Sequence, residues 1–124
     1  MSTKEYQAAW HQRNKERRLK DIKANKKAYI RRNLDFMYEY LESKCCVDCG
    51  ITDIRVLEFD HRPGCDKKGN VGDIARKPAS LAALKAEIAK CDIRCSNHHR
   101  IVTCERAGWE KNTRFLSLVG KASV

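Results

Sequence analysis

Two pairs of metal-ligating residues, far apart in the sequence, constrain the fold of this chain more than any other feature. Cys46 and Cys49 have the spacing C-x-x-C, and Cys95 and His98 have the spacing C-x-x-H. A C-x-x-C turn lets two thiolates point at one ion, and a second pair from distant sequence completes the tetrahedron that zinc prefers. The spacing therefore predicts a structural zinc site that joins residues 46–49 to residues 95–98.

The other cysteines leave alternatives open. Cys91 lies just before the second pair and is the main rival for the fourth ligand position, whereas Cys45, Cys65 and Cys104 lack a paired spacing. The alternative to a zinc site is that the cysteines are core residues that bind no metal. Two paired sites in one small chain make this alternative less favoured than zinc. A chain of 124 residues builds only a modest core, and small domains often need a metal or disulfides to hold them together.

Positive charge is concentrated near the N-terminus. Residues 1–32 contain eleven Lys and Arg against three acidic residues, a balance of +8 out of a total of +10. This excess predicts a polyanionic partner, most commonly a nucleic acid, rather than a membrane surface, because the segment lacks a wide apolar face. The sequence has neither an 18-residue apolar run nor a signal-peptide pattern, so we expect a cytoplasmic protein whose seven cysteines serve metal rather than disulfides.

The pattern of apolar residues predicts a mixture of helices and strands. Residues 54–60 are rich in β-formers, residues 62–72 form a loop punctuated by Gly and Pro, and residues 91–95 form a turn or a short strand. No clear pattern is found from residue 111 onward. The predicted helices are residues 3–32 (alternatively a partly disordered arm), 34–43, 80–90 with Ser80 as its cap, and a last short helix that begins near residue 96.

A second group of residues has the chemistry of a catalytic site. Asp60 and His61 lie where the predicted strand ends, and His99 lies beside the second zinc pair. A carboxylate and an imidazole, here Asp60 and His99, can bind one divalent ion and leave positions for water and a phosphate oxygen. A histidine that binds no metal, here His61, can deprotonate a water. An Asp-His pair at a strand end is often only a hydrogen-bonded turn, but a zinc bridge would draw that strand towards the helix that carries His99.

The motifs CVDCG, LEFDH and CSNHHR, in this order, resemble the HNH endonucleases found widely in bacteria and phages, over about residues 44–106. The resemblance implies an α+β fold with a small ββα-metal (His-Me finger) core and a structural zinc, preceded by basic N-terminal helices. It implies hydrolysis of DNA phosphodiester bonds, with His61 as general base and with Asp60 and His99 as ligands of Mg²⁺ or Mn²⁺. On this basis residues 1–43 are a basic helical arm, 44–110 the nuclease domain and 111–124 a tail.

The chain departs from the family pattern in three places. His98 replaces the last zinc cysteine, and a Cys3His site is chemically acceptable. Lys90 stands where the family has its middle Asn, so a backbone carbonyl or Asn97 is expected to orient His61. Thr103 stands where some relatives have a further ion ligand, which leaves two protein ligands and suits Mg²⁺ or Mn²⁺.

Basic side chains are the predicted contacts to DNA. Arg100, beside His99, is expected to clamp the scissile phosphate, since guanidinium matches phosphate geometry. The other predicted phosphate contacts are Lys67, Lys68, Arg76, Lys77, Arg17, Arg18, Arg31 and Arg32. The alternative functions are a non-catalytic zinc-ribbon nucleic-acid-binding protein and a degenerate HNH protein with a structural role. A monomer and a homodimer are both compatible with the sequence, and a single active site would nick DNA unless two copies act together.

Overall fold

The computed structural model describes residues 2–122, which form helices around a small antiparallel sheet. Met1, Ser123 and Val124, the ends of the predicted arm and tail, lie outside the described residues. A 3-10 turn at Ile54–Val56 precedes the first strand. The other elements are α1 (Thr3–Glu42), β1 (Leu57–His61), α2 (Val71–Ala75), α3 (Leu81–Ile88), β2 (Cys91–Cys95), α4 (Ser96–Ala107) and α5 (Glu110–Ala122).

The long helix α1 combines the two predicted helices, 3–32 and 34–43, into one element of 40 residues. Its sequence holds neither Gly nor Pro, and Ser2 and Glu5 cap its start reciprocally. At the predicted break, Asn33 is fully buried and donates its side-chain amide to the carbonyls of Lys77 and Ala79. Because that amide bonds to another segment, it does not compete with the backbone of its own helix.

The last turns of α1 contribute residues to the hydrophobic core, while the first part of the helix is exposed to solvent. Met37 packs in one buried cluster with residues of α2 and α3, and Leu41 packs in a second cluster with Cys46 and residues of both strands. Almost every residue before Ile30 is exposed. At 1.5 Å per residue, this exposed part of the helix extends for about 40 Å.

The two strands determine which side chains face which neighbours. β1 pairs antiparallel with β2, in a register that sets Glu58 opposite Arg94 and His61 opposite Cys91. Successive side chains of a strand point to opposite faces. Leu57, Phe59 and His61 therefore share the face that packs on the core, and Glu58 and Asp60 share the face next to α4.

Several boundaries differ from the sequence-based predictions. The strand predicted at 54–60 begins at Leu57 and ends at His61, because the side chain of Asp53 accepts the Arg55 amide and starts a 3-10 turn. Residues 91–95 are a strand, the loop contains the short helix α2, and residues 111–122 are helical rather than patternless. The last predicted helix is longer than expected, with 12 residues, and ends at Gly108, whose φ of 63° is easy for glycine. The cap of α3 by Ser80 is confirmed.

Candidate metal centre and nucleic-acid site

The cysteine–histidine cluster is assembled from three elements. Cys46 and Cys49 lie in a turn after α1 that closes at Gly50, where a φ of 78° favours glycine. Cys95 ends β2 and caps α4, and His98 lies in the first turn of α4. The Cys49 and Cys95 sulfurs are 3.9 Å apart, and Cys95 Sγ lies 3.2 Å from His98 Nδ1.

These distances fit a zinc ion. The ligand atoms of the predicted set, Cys46, Cys49, Cys95 and His98, all lie within 4.8 Å of one another. Two sulfurs that each lie about 2.3 Å from a tetrahedral zinc are separated by about 3.8 Å. Cys91, the predicted rival, lies instead in the buried cluster around Met37, where burial raises the pKa of its thiol to about 11. The described residues therefore form a Cys3His cluster that can hold zinc, with His98 rather than Cys91 as the fourth member.

The backbone of the cysteine turn prepares Cys46 for metal binding. Burial raises the pKa of this thiol, but hydrogen bonds from the backbone of Cys95, Cys49 and Asp48 outweigh it and lower the pKa to about 6. The thiolate is the form that binds a metal. The turn thus favours the ligand state of its most buried cysteine.

Asp60 and His99 come together next to this cluster, as the sequence predicted. Asp60 is 4% exposed, and its Oδ1 lies 3.6 Å from Nε2 of His99. Its carboxylate also accepts hydrogen bonds from two arginines. Arg94 donates to Oδ2 at 2.6 Å, and Arg106 donates to Oδ1 at 2.9 Å and to Oδ2 at 3.2 Å. The negative charge of this buried carboxylate is therefore balanced by guanidinium groups.

Glu58 is a residue of this site that the sequence analysis missed. Its Oε1 lies 2.9 Å from Nδ1 of His99, so the imidazole of His99 is placed between two carboxylates. The signal was the spacing of Glu58 and Asp60, since residues two apart in a strand share a face. An open groove of about 300 Å³ lies beside His99. The groove is lined by Glu58, Ser96, His99, Arg100 and Thr103.

His61 lies on the opposite face of β1 and contacts α3. Its Nε2 lies 2.8 Å from Oε1 of Glu87, a carboxylate that is 1% exposed. Glu87 also accepts from Lys90 Nζ at 2.9 Å and from the Lys68 backbone at 3.0 Å. Burial raises the pKa of Glu87, but the hydrogen bonds from Lys90, His61 and the Lys68 backbone outweigh it and lower the pKa to about 2.

The partner of His61 is thus neither a backbone carbonyl nor Asn97, the two candidates from the sequence. Asn97 is exposed at the start of α4. Lys90 instead binds the same carboxylate as His61. Glu87 could have been found in the sequence, because it lies three residues after Leu84 on the apolar face of α3, where a charged residue is unexpected.

The predicted DNA contacts lie in four regions. Arg100 lines the groove, with its guanidinium 5.8 Å from the Trp109 ring centre. Lys67 and Lys68 are exposed in the loop after β1, where Lys68 pairs with Asp66. The predicted contacts in the turn after α2 are Arg76 and Lys77, and those on α1 are Arg17, Arg18, Arg31 and Arg32.

Some of these arginines already have partners within the chain. Arg31 pairs with Asp35, and Arg32 donates to the carbonyl of Ala79. Arg17 and Arg18 are exposed on the projecting part of α1, where Arg17 contacts only its neighbour Asn14 among the described residues. Arg17 and Arg18 are therefore better placed than Arg31 and Arg32 to meet a polyanion.

Comparisons with protein-family models, with curated proteins and with solved structures found no match for this chain. The resemblance to HNH nucleases is therefore carried by the sequence motifs alone. Within residues 2–122, none of the helices combines the length and the apolar character that crossing a membrane requires.

Proposed function

We propose that this chain is a zinc-stabilised, divalent-ion-dependent nuclease of the HNH type that hydrolyses DNA phosphodiester bonds. One observation carries the proposal. Asp60 of β1 and His99 of α4 meet 3.6 Å apart beside an open groove that Arg100 also lines. The cysteine–histidine cluster links the turn after α1 to the start of α4, so zinc would hold the helix that carries His99 in place.

Asp60 and His99 fit a divalent ion such as Mg²⁺ or Mn²⁺. Two ligand atoms that each lie about 2.1 Å from an octahedral ion are about 3 Å apart when adjacent and about 4 Å apart when opposite. The observed 3.6 Å lies between these two values, so the two side chains would have to move about 0.6 Å closer to bind one ion as adjacent ligands. A bound ion would supply charge stabilisation for the phosphate oxygens and a more acidic water.

Arg106 would compete with an ion for Oδ1 of Asp60. Its side chain is 35% exposed and lies near the end of α4, so it can turn into solvent. Arg94 is held more firmly, at 14% exposure, because it also donates to Asp48 in the cysteine turn. Arg94 can therefore keep Oδ2 of Asp60 in place while Oδ1 binds the ion.

The hydrolysis needs a base, and the resemblance assigns this role to His61. Glu87 accepts from Nε2 of His61, which leaves Nδ1 as the basic nitrogen. In this role His61 takes a proton from water, the water oxygen bonds to phosphorus, and the bond to the 3′-oxygen breaks as that oxygen takes a proton from a second water, whose hydroxide is neutralised when His61 returns its proton to solvent. His61 lies on the face of β1 that contacts α3, whereas Asp60 and His99 lie on the other face. For His61 to act as the base, the attacking water must lie at the end of β1, within hydrogen-bonding distance of Nδ1.

The projecting part of α1 would hold the DNA. It is exposed, and most of the positive charge of the chain lies within it. Lys and Arg contacts to phosphates give affinity without reading sequence. We therefore expect strong, salt-dependent binding to duplex DNA of any sequence.

A second candidate function is a zinc-stabilised DNA-binding protein without catalysis. The observation in its favour is the pairing of both Asp60 oxygens with Arg94 and Arg106, which is also what a purely structural carboxylate needs. Such a protein would bind DNA through α1 and leave it intact.

The experiment that separates these functions is cleavage of an end-labelled DNA duplex by the zinc-loaded chain, with His61→Ala and His99→Ala alongside. His11→Ala, which changes an exposed histidine of α1, is the matched control. We expect the wild type and the control to cut in Mg²⁺ or Mn²⁺, and both site variants to lose cutting while they keep zinc and bind DNA. Wild-type cutting by His61→Ala would refute the base assignment, and binding without any cutting by the wild type would favour the second function.

A further inference from the structure

The two ring nitrogens of His99 face different carboxylates. Nδ1 lies 2.9 Å from Oε1 of Glu58, and Nε2 lies 3.6 Å from Oδ1 of Asp60. The shorter distance is that of a hydrogen bond, and the longer one is not. The two sides of the imidazole are therefore not equivalent.

We infer that Glu58 is a positioning residue that determines which ring nitrogen of His99 carries the hydrogen. An ionised carboxylate only accepts hydrogen bonds, so Nδ1 must be the donor to Glu58. In a neutral imidazole the other nitrogen, Nε2, then keeps its lone pair. That lone pair is on the side of the ring that faces Asp60.

The strand pair explains why Glu58 is available for this contact. Arg94 lies opposite Glu58 in the register, but its guanidinium donates to Asp48 and Asp60 instead. Glu58 extends from the same face of β1 as Asp60 and reaches α4 one turn after the cluster ligand Cys95.

A carboxylate on one ring nitrogen and a free lone pair on the other is the arrangement that a metal-binding histidine needs. A role for Glu58 in ion binding rests on the proposed function. Histidines that bind a metal usually donate their other N–H to a carboxylate, which fixes the ring and makes the free nitrogen a better ligand. Loss of such a partner typically weakens metal binding by about 10-fold to 100-fold. Glu58 would thus prepare His99 to share an ion with Asp60.

The test is nitrogen NMR of the histidine rings in the ¹⁵N-labelled, zinc-loaded full chain, without other divalent ions and at mildly alkaline pH. Glu58→Ala removes the acceptor, and Glu58→Gln removes the charge but keeps an oxygen that can accept. We expect hydrogen on Nδ1 of His99 in the wild type and in Glu58→Gln, and a shift towards hydrogen on Nε2 in Glu58→Ala. Hydrogen on Nε2 in the wild type, or the same ring state in all three proteins, would overturn the inference.

A second readout is Mn²⁺ binding, measured by electron paramagnetic resonance on the same proteins. We expect the dissociation constant to rise about 10-fold to 100-fold in Glu58→Ala and clearly less in Glu58→Gln. Equal losses in both variants would mean that only the charge of Glu58 matters and would overturn the positioning role. If Glu58 controls the ring state but the wild type binds no Mn²⁺, the role of Glu58 is supported and the proposed ion site is refuted.

Discussion

Replacing Glu87 with glutamine removes one charge from a buried site and nearly preserves the shape of the side chain. Glu87 is 1% exposed and accepts from His61, Lys90 and the Lys68 backbone. These contacts lower the pKa of its carboxyl from 4.5 to about 2. At about 1.4 kcal/mol per pKa unit, the ionised carboxylate contributes about 3 kcal/mol to the free energy of unfolding.

We therefore expect Glu87→Gln to lower the free energy of unfolding by about 2 to 3 kcal/mol near neutral pH. The measurement is urea unfolding of the zinc-loaded chain, followed by circular dichroism. Glu105→Gln, at an exposed position of α4, is the matched control and should change the stability by less than about 0.5 kcal/mol. A loss of under about 1 kcal/mol in Glu87→Gln would refute the account of this site.

The pH dependence gives a second check on Glu87. Because the folded-state pKa is lowered, the stabilisation is fully present above the ordinary value of 4.5 and is lost as the pH falls from there towards about 2. The difference in stability between the wild type and Glu87→Gln should therefore not decline between about pH 8 and pH 6. A decline in that range would mean that Glu87 takes up a proton there.

The candidate metal sites and the projecting part of α1 can each be tested by substitution. Cys49→Ser should lose the bound zinc and the cooperative thermal transition. A wild-type thermal transition with zinc retained would show that Cys49 is not a ligand of a structural zinc. Arg106→Ala should bind Mn²⁺ more tightly, because a cation that competes for Asp60 is removed; unchanged or weaker binding would show that Arg106 does not compete. The double variant of Arg17 and Arg18 to alanine should reduce the slope of log affinity against log salt for duplex DNA by about two, and an unchanged slope would exclude these contacts.

The sequence predicted those parts of the site in which spacing alone determines geometry. Cys46 and Cys49 lie in one turn, and Cys95 and His98 lie at one helix start. Local spacing therefore brings the two ligand atoms of each pair together, whatever the rest of the fold is. Asp60 and His99 were expected to meet because a zinc ion that joined the two pairs would draw β1 towards α4. The sequence could not show that Cys91 packs in the core, because this depends on the residues that α1 and α3 bring to it.

The sequence signals for Glu58 and Glu87 were local, but the partners of these residues depend on contacts between elements. Glu87 meets His61 only because α3 packs beneath the end of β1, and no local spacing relates two residues 26 positions apart. The opposite orientations of Asp60 and His61, in contrast, follow from the alternation of a strand and could have been predicted. The continuity of α1 through Asn33 depends on carbonyls of residues 77 and 79, which accept its side-chain amide.

The measurement that tests the central claim most directly is conversion of supercoiled plasmid by the wild-type chain, with zinc counted in the same samples. The protein is loaded with one zinc, freed of other divalent ions, and assayed with and without added Mg²⁺ or Mn²⁺. We expect nicked or linear DNA only when the second ion is added, with the zinc content unchanged throughout. DNA that is bound but stays supercoiled in both ions, with zinc still in place, would show that the chain is not a nuclease of this type.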